Sequence, residues 1–193
     1  MKHLSQLTPA ETLIILHGEK AALSELLKFT FMDLLLKQVL VTKEIEKQAN
    51  PKDPITSYKY VFTGNNFPAY QANPHENVLL SVYKKSSDTG VLFKNLVKIA
   101  YQNARHQTWY QIQLINNSNT KDLFSRTYFE RWFGGFSYTQ KGFQVKKEIQ
   151  AEVSMIESTI RNAITTDKSK GLALLKSIGG NIFLLKGLEF SLA

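Results

Sequence analysis

Residues 21–38 place the tightest limit on what this chain can become. Leu23, Leu26, Leu27, Phe31, Leu34 and Leu35 return at steps of three and four, so they line a helix that is apolar around most of its circumference. Such a helix cannot stand against water and is expected to run through a core, from about Ala21 to Gln38. Just upstream, Thr8 and Glu11 form a capping box with Pro9 at the first helical position, and Gly18 is placed to end the helix they begin.

The period then changes. Val39, Val41 and Ile45 alternate with polar residues, a turn cluster spans Asn50 to Pro54, and Ile55 to Thr63 is rich in Tyr, Val, Phe and Thr, which predicts a β-hairpin with a long loop. Gly64 to Pro74 has no periodicity and is the candidate boundary within a single domain of residues 1–193, dividing it into sub-units 1–65 and 74–193. Helices are predicted over His75–Lys85, Val91–Asn103 and Thr120–Arg131. In the second of these, Lys94, Lys98 and Arg105 fall opposite the face of Leu92, Leu96 and Ile99.

Trp132, Phe133, Gly134, Gly135 and Phe136 read as a tight hairpin turn. After Tyr138 and Thr139, the stripe Val145, Ile149, Val153, Ile156, Ile160 and Ile164 predicts a long amphipathic helix. Two short helices broken at Gly179 and Gly180 are expected over Lys168–Ala193. The fold class that follows is mainly α with short β-hairpins, a compact multi-helix domain with winged-helix-like units.

The absence of cysteine excludes disulfides, a thiol nucleophile and thiolate metal ligation. His3, His17, His75 and His106 are scattered, with no spacing that suits a metal, and no nucleophile elbow, Walker loop or dinucleotide fingerprint is present. Asp122 and Glu130, eight residues apart, suit ion pairing with Arg126 better than acid–base work. The sequence therefore points to a protein that is not an enzyme and carries no cofactor. The apolar stretch near the N-terminus is too short for a signal peptide or a membrane span, so a cytoplasmic location is expected, extending to the periphery of a membrane.

The net charge is +8, and residues 84–147 alone hold eleven Lys/Arg against three acids, an excess equal to that of the whole chain. Such asymmetry serves solubility or draws an anionic partner. Candidate anion- or lipid-binding residues are Lys28, Lys94, Lys98, Arg105, Arg126 and Arg131. The aromatics Tyr128, Phe129, Trp132, Phe133, Phe136 and Tyr138, interleaved with Arg126 and Arg131, fit either of two roles. They pack a small hairpin core, or Trp132, Phe133 and Phe136 form an exposed docking tip for a membrane, a nucleobase or a second copy of the chain.

Leu7-Thr8-Pro9-Ala10-Glu11 before an apolar helix, then Phe31-Met32-Asp33-Leu34-Leu35-Leu36-Lys37 running into a strand, resembles the opening of Golgi phosphoprotein 3 family proteins and their bacterial relatives. A helix at Val78–Tyr83, a helix and hairpin at Lys121–Tyr138, a long helix and a short helical tail follow in the order that family shows. The resemblance implies a mostly helical protein that binds phosphatidylinositol 4-phosphate headgroups through a Trp and several Arg, with a hairpin that supports oligomerisation. By position, that Trp falls near Gly18 or Glu19, the first Arg near Leu27 or Lys28, and the Arg pair near Gln113 and Asn116; Lys28 is the one cation among them.

Together these readings lead to an expectation of a binding or adaptor protein on an anionic phospholipid surface, with homo-oligomerisation as a second use of the aromatic segment. The alternative is a winged-helix-like DNA-binding protein that uses the helix at Thr120–Arg131.

Overall fold

The computed structural model describes residues 2–48, 54–84, 89–166 and 168–186. The chain divides into two compact units, Met1–Asp33 with His106–Ala193, and Leu34–Arg105. The second is therefore an insertion, in chain order, within the first. Among the described residues there are eight α-helices and two small antiparallel sheets, so the fold is mainly helical with short paired strands, as expected.

In the first unit, α1 (Pro9–His17) starts from the expected capping box. The Thr8 hydroxyl accepts the Glu11 N–H and the Glu11 carboxylate accepts the Thr8 N–H, while the C-terminal end is capped at Gly18. Residues Pro9 through Ile15 of α1 are all buried, Glu11 and Thr12 included. Helix α1 is thus a core helix. By contrast α2 (Leu23–Leu36) buries Leu26, Leu27, Phe31, Met32 and Leu34 but leaves Ser24, Glu25 and Lys28 exposed.

Polar atoms inside this core have partners on chain-distant elements. The second Glu11 oxygen accepts the Asn117 side-chain amide at 2.7 Å, and the Asn181 amide donates to the Leu4 and Leu7 carbonyls, each at 2.7 Å. Each of these bonds offsets the desolvation of a buried polar group.

The second unit carries the expected hairpin. Strands β1 (Leu40–Lys47) and β2 (Thr56–Thr63) pair antiparallel from Leu40 opposite Thr63 to Lys47 opposite Thr56. A two-residue strand, β3 (Val91–Leu92), joins β2 through Val61 and Tyr60. The expected helix at His75–Lys85 is a short composite: a 3-10 turn at Pro74–Glu76, α3 (Asn77–Leu80) and a 3-10 turn at Ser81–Tyr83, with residue 85 outside the described residues. The segment Gly64–Pro74 lies within this unit and includes a 3-10 turn at Phe67–Ala69. Then α4 (Phe93–Ala104) follows β3 directly, burying Leu96, Ala100 and Ala104. Tyr83 is buried here and donates its hydroxyl to the Val61 carbonyl at 3.0 Å, and burial holds that phenol well above its ordinary pKa.

Back in the first unit, α5 (Gln107–Ile115) is a helix that the sequence reading left unassigned; its N-terminus is capped by the His106 ring, which accepts the Trp109 N–H. Two-residue strands β4 (Phe124–Ser125) and β5 (Ser137–Tyr138) pair with each other, and α6 (Tyr128–Phe133) lies between them in sequence. A winged-helix unit is not shown. The expected helix over Thr120–Arg131 is broken into turns, β4 and the start of α6, and the expected hairpin turn at Trp132–Phe136 is the end of α6 and its exit.

The long helix is α7 (Gln140–Thr166), with Val145, Ile149, Ile156 and Ile160 buried along the predicted stripe and Val153 half-buried; the Ile164 side chain lies outside the described residues. The tail holds α8 (Lys168–Ile178) and a 3-10 segment at Gly179–Leu184, so the predicted break at Gly179 is a change of helix type. The remainder of the predicted tail, 187–193, lies outside the described residues.

Helix α7 also pins the N-terminal segment. Glu152 accepts the backbone N–H groups of Lys2, His3 and Leu4 at 2.8 to 3.3 Å, and Glu148 meets the His3 ring at 2.6 Å. Partial burial pushes the Glu152 carboxyl up, but the three N–H donors outweigh it and hold the group below the usual carboxylate range. Glu152→Ala should therefore cost about 1–3 kcal/mol, the usual result of stripping a charged acceptor from partly buried donors. Hydrogen exchange should rise at residues 2–4 with α1 still protected; unchanged exchange there would refute the role given to Glu152.

Candidate functional site

The segment Thr127–Tyr138 shows how a short sequence can hold large apolar side chains in water. Thr127 and Glu130 form a second capping box: the Thr127 hydroxyl accepts the Glu130 N–H at 3.2 Å and the Glu130 carboxylate accepts the Thr127 N–H at 2.6 Å. Gly134 closes the helix in the left-handed region, φ +78°, where a residue with a Cβ would be strained. Six residues between these caps form one and a half turns. They place Tyr128 and Trp132 on one face, ring centroids 6.4 Å apart, with Phe129 beside them.

The segment is braced by polar groups that bond to one another and to its backbone. Ser137 donates to the other Glu130 oxygen at 2.6 Å, Arg126 donates to the carbonyls of Gly135 at 3.0 Å and Glu130 at 3.1 Å, and Glu19 accepts the Phe136 N–H at 2.8 Å. The Ser137 and Thr127 donors hold the Glu130 carboxyl below its ordinary range. Below α6, Phe136 packs edge-on against Phe124 at 5.2 Å, and Tyr138 stacks with Phe124 and Phe143. Tyr138 donates to the Ile15 carbonyl at 2.8 Å, and its burial pushes the phenol pKa up to about 12.

This separates the aromatic residues into two groups that the sequence reading had merged. Phe136 is 5% exposed and belongs to the core, so it is not a docking residue. Tyr128, Phe129 and Trp132 are 78%, 71% and 74% exposed. The Phe133 side chain lies outside the described residues. Tyr128 and Phe129 were not among the docking candidates, although the Thr-x-x-Glu box ahead of them and the Gly134 stop would have placed a helix at 128–133 and both rings on its surface.

The candidate cations divide between the units. Lys28, Arg126 and Arg131 belong to the first, and Lys94, Lys98 and Arg105 to the second. Arg131 is exposed on α6 beside the rings, whereas Arg126 is half-buried and committed to the two carbonyls. Lys28 is exposed on α2, its ammonium 5.9 Å from the Phe29 ring centroid. Lys94 and Lys98 are exposed one turn apart on α4 together with Val97 and Tyr101, and Arg105 is exposed at the end of that helix.

The positions implied by the family resemblance do not form a phosphate clamp. Gly18 is buried, Glu19 presents a carboxylate that holds Phe136, Leu27 is buried, and Gln113 and Asn116 are uncharged. No family model, no curated protein and no solved structure matches this chain. Among the described residues, no group of three or more His, Asp or Glu side chains is arranged to hold a metal ion, and no helix is long and apolar enough to cross a membrane.

Proposed function

We propose that this protein is a non-catalytic binding or adaptor protein that docks on an anionic membrane surface through α6. The observation that carries the reading is the exposure of Tyr128, Phe129 and Trp132, all above 70%, on one six-residue helix fixed at both ends. Large apolar side chains are rarely left together in water without a partner. Trp and Tyr have an apolar ring and a polar atom, the combination that suits the headgroup boundary of a bilayer.

Charge supports the same partner. Residues 121–147, all in the first unit, hold six Lys/Arg against two acids, and Lys121, Arg131, Lys141 and Lys147 are exposed. Ring insertion contributes roughly 1.5–3 kcal/mol per side chain at full burial, and each nearby cation about 1 kcal/mol at an anionic leaflet. Neither alone holds a protein at a membrane, but two weak signals together do. The nucleic-acid reading has less behind it, because α6 is only six residues long and Arg126 is spent on backbone carbonyls.

The test is co-sedimentation with vesicles of phosphatidylcholine containing phosphatidylserine, against phosphatidylcholine alone. Wild type should sediment with the anionic vesicles and release at high salt, since screening shortens the reach of exposed charge. Trp132→Ala should weaken partition roughly ten- to thirtyfold, from the loss of about 1.5–2 kcal/mol of ring insertion. Equal sedimentation of wild type and Trp132→Ala overturns the proposal. So does a concentration-dependent oligomer, formed without lipid and lost in Trp132→Ala, which would assign the rings to a second copy of the chain.

A further inference from the structure

The second unit contains a pocket that the docking function does not use. Helix α2 ends with Gln38 in the left-handed region, φ +54°, and the N–H groups of Gln38 and Val39 return to the Leu35 and Leu34 carbonyls, both at 2.9 Å. Asn66 clamps this turn from the far side of the hairpin. Its side-chain amide donates to the Lys37 carbonyl at 2.8 Å and its backbone N–H to the Gln38 carbonyl at 3.1 Å. The two turns flank a shallow, solvent-open cavity of about 580 Å³ lined by Leu36, Lys37, Gln38, Asn65, Ala69 and Tyr70.

The floor of the cavity is fixed by a buried relay. Glu76 is buried, with one carboxylate oxygen accepting the Tyr70 hydroxyl at 2.8 Å and the other the Asn73 N–H at 2.7 Å. The Lys37 ammonium donates to the Tyr70 oxygen at 3.5 Å and lies 5.8 Å from the centre of its ring. With its proton given to Glu76, the Tyr70 oxygen acts as an acceptor.

Charge then decides the class of ligand. The Lys37 cation is offset by the Glu76 carboxylate one hydroxyl away, and the C-terminus of α2 adds the negative end of its dipole, equivalent to roughly half a charge. That balance does not favour an anion. What remains is a set of amides, Gln38 and Asn65, which both donate and accept, beside apolar surface on Ala69 and on Leu36, which is 46% exposed. A sugar ring has the complementary set, with hydroxyls that donate and accept around its edge and C–H groups on its faces. We propose that the pocket between Lys37–Gln38 and Asn65–Tyr70 binds a neutral saccharide ring, free or as a lipid headgroup.

The test follows backbone amide shifts of the full chain by NMR during titration with methyl glycosides of glucose, galactose, mannose and N-acetylglucosamine, at up to tens of millimolar. At least one glycoside should move Gln38, Asn66, Ala69 and Tyr70 saturably, and inorganic phosphate should not. Asn65→Ala, at an exposed turn position, should weaken that response at least tenfold at an unchanged thermal midpoint. No shift with any of the four glycosides, equal titration of wild type and Asn65→Ala, or a response to phosphate alone overturns the proposal. Vesicles carrying a galactosyl diacylglycerol separate the two sources. Capture that is lost in Asn65→Ala assigns a lipid headgroup, whereas binding of soluble glycosides without capture assigns a free sugar.

Discussion

Mild acid should destabilise the protein through one residue, His75. This imidazole is buried, and its pKa is lowered from 6.5 to about 3, first by the loss of water around it and then by the Lys37 charge. Unfolding restores the ordinary value, so between pH 6.5 and 3 the unfolded chain binds a proton that the folded chain excludes. Stability is complete above pH 6.5 and falls as pH drops through that window, with a ceiling of about 5 kcal/mol. At pH 5 the loss should be about 2 kcal/mol, following the limiting slope of about 1.4 kcal/mol per pH unit. Glu130, Glu148 and Glu152 are held below the usual carboxylate range, so what they contribute is lost only in stronger acid. Urea unfolding at pH 7.5 and pH 5 measures the loss, and His75→Leu should flatten it. A wild-type His75 ring proton that titrates near 6.5 by NMR would refute the prediction.

Much of this fold was legible because its strongest signals are local. The box of Thr8 and Glu11, the two strand-like runs around the Asn50–Pro54 turn cluster and the stripe of α7 each depend on residues a few positions apart, and the structure holds the capped helix, the β1–β2 hairpin and the long helix. The expectation that α2 runs through a core was met, with Leu26, Leu27, Phe31, Met32 and Leu34 buried, but the deeper burial of α1 was not foreseen. The two helices are similarly apolar, and burial depends on what surrounds an element, which is why α1 is covered from Pro9 to Ile15. Helix α5 was missed because its cap is the ring of His106, a residue outside the usual capping set. The site was misread where two rules competed. A Gly-Gly pair between aromatics suggests a hairpin, yet Thr127, Glu130 and Gly134 bound a helix, and their hydrogen bonds decide the outcome.

The same competition explains why exposure at α6 could not be read from the aromatic pattern. Phe136 and Trp132 are both large rings in one short run, but Phe136, just ahead of β5, is held inward by Glu19 on its N–H and by the Phe124 ring. Helix length matters as well. One and a half turns offer no room for a full buried stripe, so a helix of this size carrying three further aromatics must expose some of them. The polar brace of Arg126, Glu130 and Ser137 contributes to its order.

Close to that brace lies the start of α7, where Gly142→Ala should be a severe single change. In an ordinary helix this substitution stabilises by up to about 1 kcal/mol, because alanine loses less backbone freedom. Here a Cβ on residue 142 would fall on the Leu123 carbonyl oxygen, well inside van der Waals contact. The same carbonyl accepts the Thr139 N–H at 3.0 Å, and the Thr139 hydroxyl accepts the Gly142 N–H at 3.0 Å while donating to the Asp122 carbonyl at 2.9 Å. The methyl must therefore push the first turn of α7 away from residues 122–123 and break a cap as well as a contact. Overpacking costs about 1–3 kcal/mol and a lost cap about 1 kcal/mol, so the sign reverses to a net loss of about 3 kcal/mol. For a chain of this size that lowers the melting midpoint by roughly 6–12 °C. Leu123 leads directly into β4, so the displacement also loosens the strand pair that frames α6, and vesicle capture should fall with stability. A Gly142→Ala protein that melts at or above the wild-type midpoint would show that α7 does not need this close approach.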